Sequence, residues 1–185
     1  MSATFNLQNF IQIYKDAIPK KLINLILAQN EKLEWKSHEW TNYNGVVPSP
    51  QPNKEFLRAN FNKFEKIFLN QYIDQCVLEY TKKHNFGLHG KSPIVINKYE
   101  KGQELMEHID HKTNYFDGKN KGIPIITLIG SLNNTFTGGE LILCKDYQVN
   151  LNPGDLVIFP SNFLFPHAVK CIESGTRLSI NQWFW

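Results

Sequence analysis

Residues 123–159 read IPIITLIGSLNNTFTGGELILCKDYQVNLNPGDLVIF, and this segment gives the clearest indication of the fold. Short apolar runs alternate in it with turn-forming residues, namely Asn133-Asn134, Gly138-Gly139 and Asn152-Pro153-Gly154. Apolar runs that end at Gly, Pro or Asn are typical of β-strands joined by tight turns. A turn about every 8–12 residues favours a sandwich or jelly roll over alternating strands and helices.

The same alternation of short apolar runs and turn-forming residues continues through residues 93–185. The strands predicted there are residues 94–100, 123–132, 140–145, 156–159, 167–171 and 177–185. Residues 1–84 are instead predicted to be mostly helical, because apolar side chains in residues 19–34 and 53–83 recur at spacings of three and four. The second of these helical stripes is expected to break near Asn70.

The helical pattern in the first half of the chain and the strand pattern in the second half predict the fold class, which is α+β and mainly β. We expect a double-stranded β-helix (jelly roll) with N-terminal helices packed on one sheet. The whole chain, residues 1–185, is predicted to be a single domain: residues 1–84 form helical support, and residues 93–185 form the jelly-roll core.

The composition restricts the kind of protein this can be. With 42% hydrophobic and 13% aromatic residues, the chain is neither disordered nor fibrous. No apolar run approaches the roughly 18–20 residues of a membrane helix, and the first residues do not resemble a secretory signal. Three widely spaced cysteines favour a reducing, cytoplasmic location. The net charge of +3 comes without a basic stripe, so neither a nucleic acid nor a membrane is expected as a partner.

Residues 37–52 are rich in proline and aromatic residues, Trp40 and Tyr43 among them. Proline at this density is incompatible with a helix or a central strand. Two interpretations stay open: a lid over a functional site, or a packed structural loop. Substrate choice is expected to depend on residues 38–52 and 112–122.

A candidate metal site begins at His108-Ile109-Asp110. Residues i and i+2 share a face of a strand, so His108 and Asp110 are predicted to point together into the barrel. Two imidazoles and one carboxylate form the facial triad that leaves three positions open on Fe(II). The second imidazole is predicted to come from His167, which lies on a later strand.

The surroundings of His167 follow from a predicted hairpin. A three-residue loop at Glu173-Ser174-Gly175 pairs Cys171 with Arg177 and His167 with Asn181. One surface of the hairpin then carries His167, Arg177, Ser179, Asn181 and Trp183. The other surface, turned towards the helices, carries Leu178, Ile180 and Phe184.

Arg177 is the strongest indication of a ligand. An arginine inside a barrel requires an anionic partner, because an unpaired buried charge is very costly. The predicted position of Arg177, two to four rungs from His167, suits a dicarboxylate that chelates the metal at one end. The guanidinium meets its other carboxylate, which is the geometry that arginine favours.

Several spaced motifs in the second half of the chain occur in an order shared with one enzyme family. The segments YEKGQ (residues 99–103) and HID (108–110) match a Y-x-x-G-Q-x-x-x-x-H-x-D pattern. TGGEL (137–141) matches a T-G-G-E turn, and PGDLVIF (153–159) matches a P-x-x-G-D strand in outline. Together they resemble the prolyl 4-hydroxylase-like branch of the Fe(II)/2-oxoglutarate-dependent dioxygenases.

The resemblance implies a role for each matching residue. By it, the catalytic and metal-binding residues are His108, Asp110 and His167, which hold Fe(II). Arg177 and Thr127 bind the distal carboxylate of 2-oxoglutarate, Tyr99 contacts 2-oxoglutarate nearer the metal, and Trp183 lies beside the substrate.

The resemblance also implies an activity. The chain is expected to hydroxylate a C–H bond, with peptidyl proline in a peptide or protein as the first-choice substrate, and to release succinate and CO₂. Ascorbate is a candidate reductant. Two alternatives remain open: a hydroxylase of a small molecule or free amino acid, and a non-catalytic jelly roll that binds a metal. Leu105 and Ser131 stand where proline hydroxylases often carry aromatic residues, which weakens the proline assignment.

Overall fold

The computed structural model describes residues 6–42, 45–47, 49–51, 53–110 and 122–185. This part of the chain contains two α-helices, α1 (Lys20–Gln29) and α2 (Lys63–His84), and two short 3-10 turns, Leu7–Phe10 and Asn30–Lys32. The strands are, in chain order, β1 (Gln12–Tyr14), β2 (Lys36–Ser37), β3 (Trp40–Asn42), β4 (Gly45–Val47), β5 (Leu57–Asn60), β6 (Val95–Tyr99), β7 (Leu105–His108), β8 (Ile126–Ser131), β9 (Phe136–Gly138), β10 (Leu141–Leu143), β11 (Tyr147–Val149), β12 (Leu156–Pro160), β13 (His167–Val169), β14 (Ile172–Gly175) and β15 (Arg177–Phe184).

Most of the strands form two antiparallel sheets. The large sheet has seven strands in the order β1-β12-β8-β15-β6-β5-β2, and the small sheet has four in the order β11-β10-β13-β7. Two further strand pairs, β14-β9 and β3-β4, lie outside these sheets. The predicted double-stranded β-helix is therefore confirmed.

Side-chain alternation along the large sheet divides the core into two layers. On β12, Leu156 and Ile158 pack into a cluster with the helices, whereas Val157 and Phe159 pack into a second cluster with residues of the small sheet. Successive strand residues point to opposite faces, so one strand can supply both clusters. All four side chains are fully buried. The large sheet is thus sandwiched between the helices and the small sheet, as predicted.

Helix α2 packs on the outer face of the large sheet. It starts with a capping box, in which the Asn62 side chain accepts from the Glu65 backbone N–H and the Glu65 carboxylate accepts from the Asn62 N–H. Its buried face is formed by Leu69, Ile73, Cys76, Val77 and Tyr80. The break expected near Asn70 is wrong, because the helix continues to His84 and the Asn70 side chain donates to the Lys66 carbonyl within it.

The description of residues 1–84 as mostly helical support needs correction. Strand β1 extends one edge of the large sheet by pairing with β12, and β5 and β2 extend the other edge. These strands have two to four residues, which is too short to give a clear alternating pattern. The N-terminal half therefore completes the sheet as well as covering it.

The tight turn before β12 fixes the β1 edge. Asp155 is buried, and its carboxylate accepts hydrogen bonds from the backbone N–H groups of Asp16 and Asn152 and from Lys15 at 2.7 Å. Burial alone raises the pKa of Asp155, but these donors outweigh it and hold the pKa below its usual value. The P-x-x-G-D-like segment is therefore a structural joint between β1 and β12.

The segment around residues 37–52 contains the strand pair β3-β4 and no helix in its described part. His38, which lies just before β3, stacks on Phe56 with ring centroids 4.5 Å apart, and Trp40 lies edge-on to His38. Residues 111–121, which include most of the second segment expected to determine substrate choice, lie outside the described residues. In the described part of the chain, neither helix is both long and apolar enough to cross a membrane.

Candidate active site

A cavity of about 770 Å³ opens between the two sheets. Strands β5, β6 and β15 of the large sheet form one wall, and β7 and β13 of the small sheet form the other. Of the residues singled out in the sequence, the cavity is lined by His108, Asp110, His167, Arg177, Tyr99 and Trp183.

Three potential metal ligands converge in this cavity. His108 on β7 and His167 on β13 are directly opposite each other in the small sheet, and their ring centroids are 4.3 Å apart. Asp110 follows the end of β7, and its two carboxylate oxygens lie 3.7 Å from Nε2 of His108 and 3.7 Å from Nε2 of His167. The ligand atoms of all three lie within 4.8 Å of one another. Two imidazoles and one carboxylate at this spacing fit a divalent metal such as Fe(II).

The protonation states of Asp110 and His167 suit metal binding. Burial raises the pKa of Asp110, but His167, His108 and the Thr127 hydroxyl outweigh it and hold the pKa well below the usual range. Burial, assisted by His108, lowers the pKa of His167 to about 4. At neutral pH the carboxylate is therefore ionised and the His167 ring neutral, as a metal requires of its ligands.

Backbone carbonyls orient both imidazoles. Nδ1 of His108 lies 2.8 Å from the Met106 carbonyl, and Nδ1 of His167 lies 3.4 Å from the Phe165 carbonyl. Because a carbonyl only accepts, each Nδ1 carries the hydrogen and each Nε2 keeps its lone pair for the metal. The tautomers are thus fixed by the strand that carries each ring.

Thr127 supports the carboxylate ligand. Its hydroxyl donates to Oδ2 of Asp110 at 2.5 Å and lies 2.7 Å from the Ser161 hydroxyl. Thr127 is paired with Trp183 in the sheet, six residues along β15 from Arg177, which is about 20 Å. The structure therefore does not bring Thr127 to Arg177, and the expected sharing of one carboxylate by the two residues is not what the geometry favours.

Arg177 is buried at the other end of the cavity. Its Nη1 donates to the Ser179 hydroxyl at 2.8 Å, and its guanidinium lies 5.3 Å from the Tyr99 ring centre. Within the described residues, no carboxylate lies within ion-pair distance of it. Burial lowers the pKa of Arg177, while Tyr99 opposes that effect. A guanidinium remains charged in proteins, so this site fits an anionic group such as a carboxylate.

The T-G-G-E turn explains how Arg177 is accommodated. Gly139 has a φ of +67°, and a Cβ there would come within 2.3 Å of the Ile172 side chain and 3.1 Å of the Arg177 side chain. Only glycine adopts this conformation readily and leaves room for both neighbours. The turn therefore packs directly on the arginine.

Tyr99 and Trp183 flank the same cavity. Tyr99 is paired with Arg177 across β6 and β15, and it stacks on Phe56 with ring centroids 4.3 Å apart. Burial raises the pKa of Tyr99 to about 12, so its hydroxyl stays protonated at neutral pH. Trp183 lies farther along β15, opposite Thr127. The two rings occupy different ends of the cavity wall.

The hairpin predicted between residues 167–171 and 177–181 is wrong. His167 is on β13, which pairs with β10 and β7, whereas Arg177 is on β15, which pairs with β6 and β8. The intervening β14 pairs with β9 instead. His167 and Arg177 nevertheless face one cavity, because they lie on opposing sheets rather than on neighbouring strands.

Three further residues line the cavity wall: His38 and Trp40, from the segment interpreted as a lid or a packed loop, and Arg58, which sequence reasoning missed. They lie outside the matching motifs, on or next to the short N-terminal strands. A compositional signal was available for one of them, because Arg58 and Arg177 are the only two arginines in the sequence.

A double-stranded β-helix whose cavity holds two histidines and one aspartate at metal-binding distance defines a class, the non-haem iron oxygenases. The family model for the 2OG-Fe(II) oxygenase superfamily matches residues 94–185, and the chain belongs to that superfamily. The family's metal is Fe(II) and its co-substrate is 2-oxoglutarate. The described residues fit the metal and the co-substrate, because the triad supplies the metal ligands and the buried Arg177 can bind a carboxylate.

Curated relatives match part of the chain. A PKHD-type hydroxylase of Crocosphaera subtropica is 43% identical over 60 residues, which cover 31% of this chain and 26% of the relative. A PKHD-type hydroxylase of Prochlorococcus marinus is 33% identical over 99 residues, which cover 52% of this chain and 41% of the relative. The matched segments thus span less than half the length of these relatives.

Solved structures match nearly the whole chain. The viral collagen prolyl hydroxylase of Paramecium Bursaria Chlorella virus-1 superposes with a TM-score of 0.69 at 16% identity, covering 95% of each chain. A Pseudomonas putida prolyl-4-hydroxylase gives a TM-score of 0.67 at 19% identity, covering 95% of this chain and 91% of the other. At these identities the likeness establishes a shared fold.

Proposed function

We propose that this chain is a dioxygenase that hydroxylates a C–H bond of peptidyl proline with Fe(II) and 2-oxoglutarate. The reaction consumes one O₂ and one 2-oxoglutarate, and it yields the alcohol, succinate and CO₂. The observation that carries the proposal is the shared cavity: a His-Asp-His triad faces a buried arginine that has no acidic partner among the described residues. A triad alone would indicate a metal; the arginine adds a site for the co-substrate.

When bound, Fe(II) and 2-oxoglutarate supply the activation of O₂ and the oxidation of the substrate. The chain's own residues position these groups. His108, Asp110 and His167 hold the metal on the small sheet, while Arg177 binds the distal carboxylate of 2-oxoglutarate from the large sheet. The Thr127 hydroxyl orients Asp110 by donating a hydrogen bond to it. The enclosing aromatic residues limit access of water to the reacting atoms.

Two aromatic residues complete the proposed site. Tyr99, protonated and adjacent to Arg177, is placed to donate a hydrogen bond to 2-oxoglutarate. Trp183 lies on the same wall beyond Asn181 and offers a flat apolar surface to a substrate ring. These assignments are part of the proposal.

The peptide substrate is supported by the names of related proteins. One solved structure with this fold is a Trichoplax adhaerens prolyl hydroxylase in complex with a peptide fragment of hypoxia inducible factor, with a TM-score of 0.66 at 18% identity. The cavity lining also extends to the exposed strand β2, where a peptide would enter from solvent. A pyrrolidine ring suits a pocket bordered by Trp40 and Trp183.

The proposal also covers the location of the protein, its reductant and its domain organisation. Cys76, Cys144 and Cys171 are free thiols, which supports a reducing, cytoplasmic location. That neither a membrane nor a nucleic acid is a partner is part of the same proposal. Ascorbate is proposed as the reductant. The single-domain organisation and a lid formed by residues 37–52 belong to the same proposal.

The test is succinate release from 2-oxoglutarate in the presence of Fe(II), with and without proline-containing peptides. We expect peptide-dependent succinate and a product that is heavier by one oxygen atom in mass spectrometry. Asp110→Ala, which removes a proposed metal ligand, should abolish both signals. Turnover with free amino acids but not with peptides would identify a small-molecule hydroxylase. Absence of iron-dependent 2-oxoglutarate binding would contradict the proposed function.

A further inference from the structure

Both arginines of the chain reach the candidate active site. The sequence contains 20 lysines and arginines, and only Arg58 and Arg177 are arginines. Both line the cavity between the sheets. Arg177 has an assigned ligand in the proposed function, but Arg58 has none.

Arg58 is held firmly on the cavity wall. Its Nε donates to the Asn97 side-chain oxygen at 3.0 Å. Its guanidinium lies 5.6 Å from the Trp183 ring centre and 5.7 Å from that of Phe56, both within cation–π range. One polar contact and two aromatic faces fix the orientation of the group and leave its terminal N–H donors available.

The site of Arg58 is distinct from that of Arg177. Arg58 on β5 is paired with Asn97 on β6, which is paired in turn with Ser179 on β15. Two strand spacings and two residues along β15 therefore separate the two arginine Cα atoms, which amounts to about 12 Å. Each guanidinium has its own polar neighbour: Asn97 for Arg58 and Ser179 for Arg177.

Arg58 has no acidic partner within the part of the chain that the structure describes. Asp110 exerts an electrostatic effect on it, but the Asp110 oxygens already face His108, His167 and Thr127. A partly desolvated guanidinium without an anion is unfavourable, so a ligand that brings one gains binding energy there.

The charge balance of the cavity, once metal and 2-oxoglutarate are bound, also indicates that Arg58 lacks an anionic partner. A divalent metal contributes two positive charges, and 2-oxoglutarate contributes two negative ones. Among the charged residues that the structure describes in the cavity, Asp110 and Arg177 cancel each other, which leaves the positive charge of Arg58 uncompensated. At the rim, Lys32 and Lys36 are balanced by Glu34 and Glu39. A substrate with one negative charge would balance the charge of Arg58.

We propose that Arg58 binds a carboxylate of the substrate, so that the enzyme acts on an anionic molecule whose acid group lies beside Trp183. The proposal rests on the proposed function and narrows its substrate class. The carboxylate comes either from the chain terminus of a proline compound or from an acidic side chain next to proline. Arginine suits either source, because its planar fork matches a carboxylate with two parallel hydrogen bonds.

The test compares matched probes that differ in one charge. The first pair is N-acetylproline and N-acetylprolinamide; the second is acetyl-Pro-Asp-amide and acetyl-Pro-Asn-amide. Binding is measured by calorimetry on protein loaded with Mn(II) and 2-oxoglutarate, so that it does not depend on turnover. We expect at least one acid to bind about tenfold or more tightly than its neutral partner. The pair that shows the preference identifies the source of the carboxylate.

Substitutions assign the preference to Arg58. Arg58→Gln should reduce the acid-to-neutral ratio of Kd values to about one, whereas Arg58→Lys should retain part of it. Lys36→Gln is the matched control, since Lys36 is paired with Arg58 in the sheet and carries the same charge at the rim; the ratio should change less than twofold. The Kd for 2-oxoglutarate, measured in each variant, reports whether the cavity is intact.

Three outcomes would contradict the proposal. They are equal binding of acids and amides by the wild type, no measurable binding of either, and a ratio that survives in Arg58→Gln. In all three cases metal-dependent 2-oxoglutarate binding can persist, and the proposed oxygenase function would then stand. If that binding is itself absent, the oxygenase function fails first.

Discussion

At the scale of single residues, Thr127 shows how much the chemistry of a side chain depends on its neighbours. The resemblance to prolyl 4-hydroxylases indicates that Thr127 contacts 2-oxoglutarate. In the structure, its hydroxyl donates a hydrogen bond to Asp110 instead. Partners of a metal ligand orient it and tune its basicity. Thr127 is therefore best understood as a positioning residue for the carboxylate.

The substitution Thr127→Val separates these two roles. Valine keeps the shape of threonine but cannot donate to Asp110, and loss of such a partner typically weakens metal binding about 10–100-fold. We expect the Kd for Mn(II) to rise by that factor, while the Kd for 2-oxoglutarate at saturating metal changes little. Thr137→Val, at an exposed threonine on β9, is the control. A selective loss of 2-oxoglutarate affinity would instead assign Thr127 to the co-substrate.

His38, which is not itself a proposed metal ligand, makes the stability of the protein depend on pH. Burial, then Arg58 and His108, lower the pKa of His38 to about 3, against about 6.5 in the unfolded chain. Between these values the unfolded state binds one more proton than the folded state, so stability falls as the pH decreases below 6.5. Above pH 6.5 the full stability is present.

The measurement is urea unfolding of the metal-free protein at pH 7 and pH 5. His38→Phe keeps the ring that stacks on Phe56 but cannot be protonated. The variant should lose less stability than the wild type over this interval, by at most about 2 kcal/mol. His89→Phe, at an exposed histidine, controls for removal of an imidazole. Identical losses in the wild type and His38→Phe would contradict the assignment.

At the scale of elements, the sequence predicts faces better than it predicts partners. Alternation along β15 places Ser179 and Trp183 in the cavity and Leu178 and Ile180 in the helix-facing core, as expected. This pattern holds whichever strand lies alongside, because it depends only on the period of two. The partners of β15 are non-local, so the local hairpin rule that joined it to residues 167–171 failed.

The same distinction applies to the site. His108, Asp110 and His167 belong to motifs with fixed spacing, and the structure brings them together. The bond between Thr127 and Asp110 and the position of Arg58 depend on which strands are neighbours, so spacing alone does not reveal them. The short strands β1, β2 and β5, at the two ends of the large sheet, were missed for a related reason, since sheet pairing rather than intrinsic propensity defines them.

Gly130 is the element-scale feature with the clearest energetic consequence. It is the next-to-last residue of β8 and lies between Leu156 on β12 and Ile180 on β15. A Cβ there would come within 2.6 Å of the Leu156 side chain and 2.8 Å of the Ile180 side chain. Glycine in a strand interior therefore marks close packing under the helices rather than a turn.

We expect Gly130→Ala to lower the free energy of unfolding by about 1–3 kcal/mol, the usual cost of overpacking a core. Gly87→Ala is the matched control, because no heavy atom lies within 4 Å of the position of its Cβ; its effect should stay within about 0.5 kcal/mol. Chemical denaturation of the two variants measures both values. If Gly130→Ala were as stable as the wild type, β8 would not pack as closely as described.

At the scale of the whole molecule, the proposed ligands connect two separate sheets. The small sheet carries His108 and His167 on β7 and β13, and the large sheet carries Arg177 on β15. A dicarboxylate held by the metal at one end and by Arg177 at the other would bridge the sandwich across the cavity. The shared anchoring predicts that metal and 2-oxoglutarate stabilise the fold cooperatively.

Thermal unfolding with Mn(II), with 2-oxoglutarate and with both measures that cooperativity. A ligand at 100 times its Kd stabilises the folded state by about 2.7 kcal/mol, so a clear rise in Tm is expected once both are present. Without metal, 2-oxoglutarate has only Arg177 to hold it, and its effect should be small. Arg177→Gln should keep the rise due to Mn(II) and lose the increment due to 2-oxoglutarate, whereas Asp110→Ala should lose both. Shifts that simply add, or an increment that survives in Arg177→Gln, would mean that 2-oxoglutarate does not join the two sheets through this arginine.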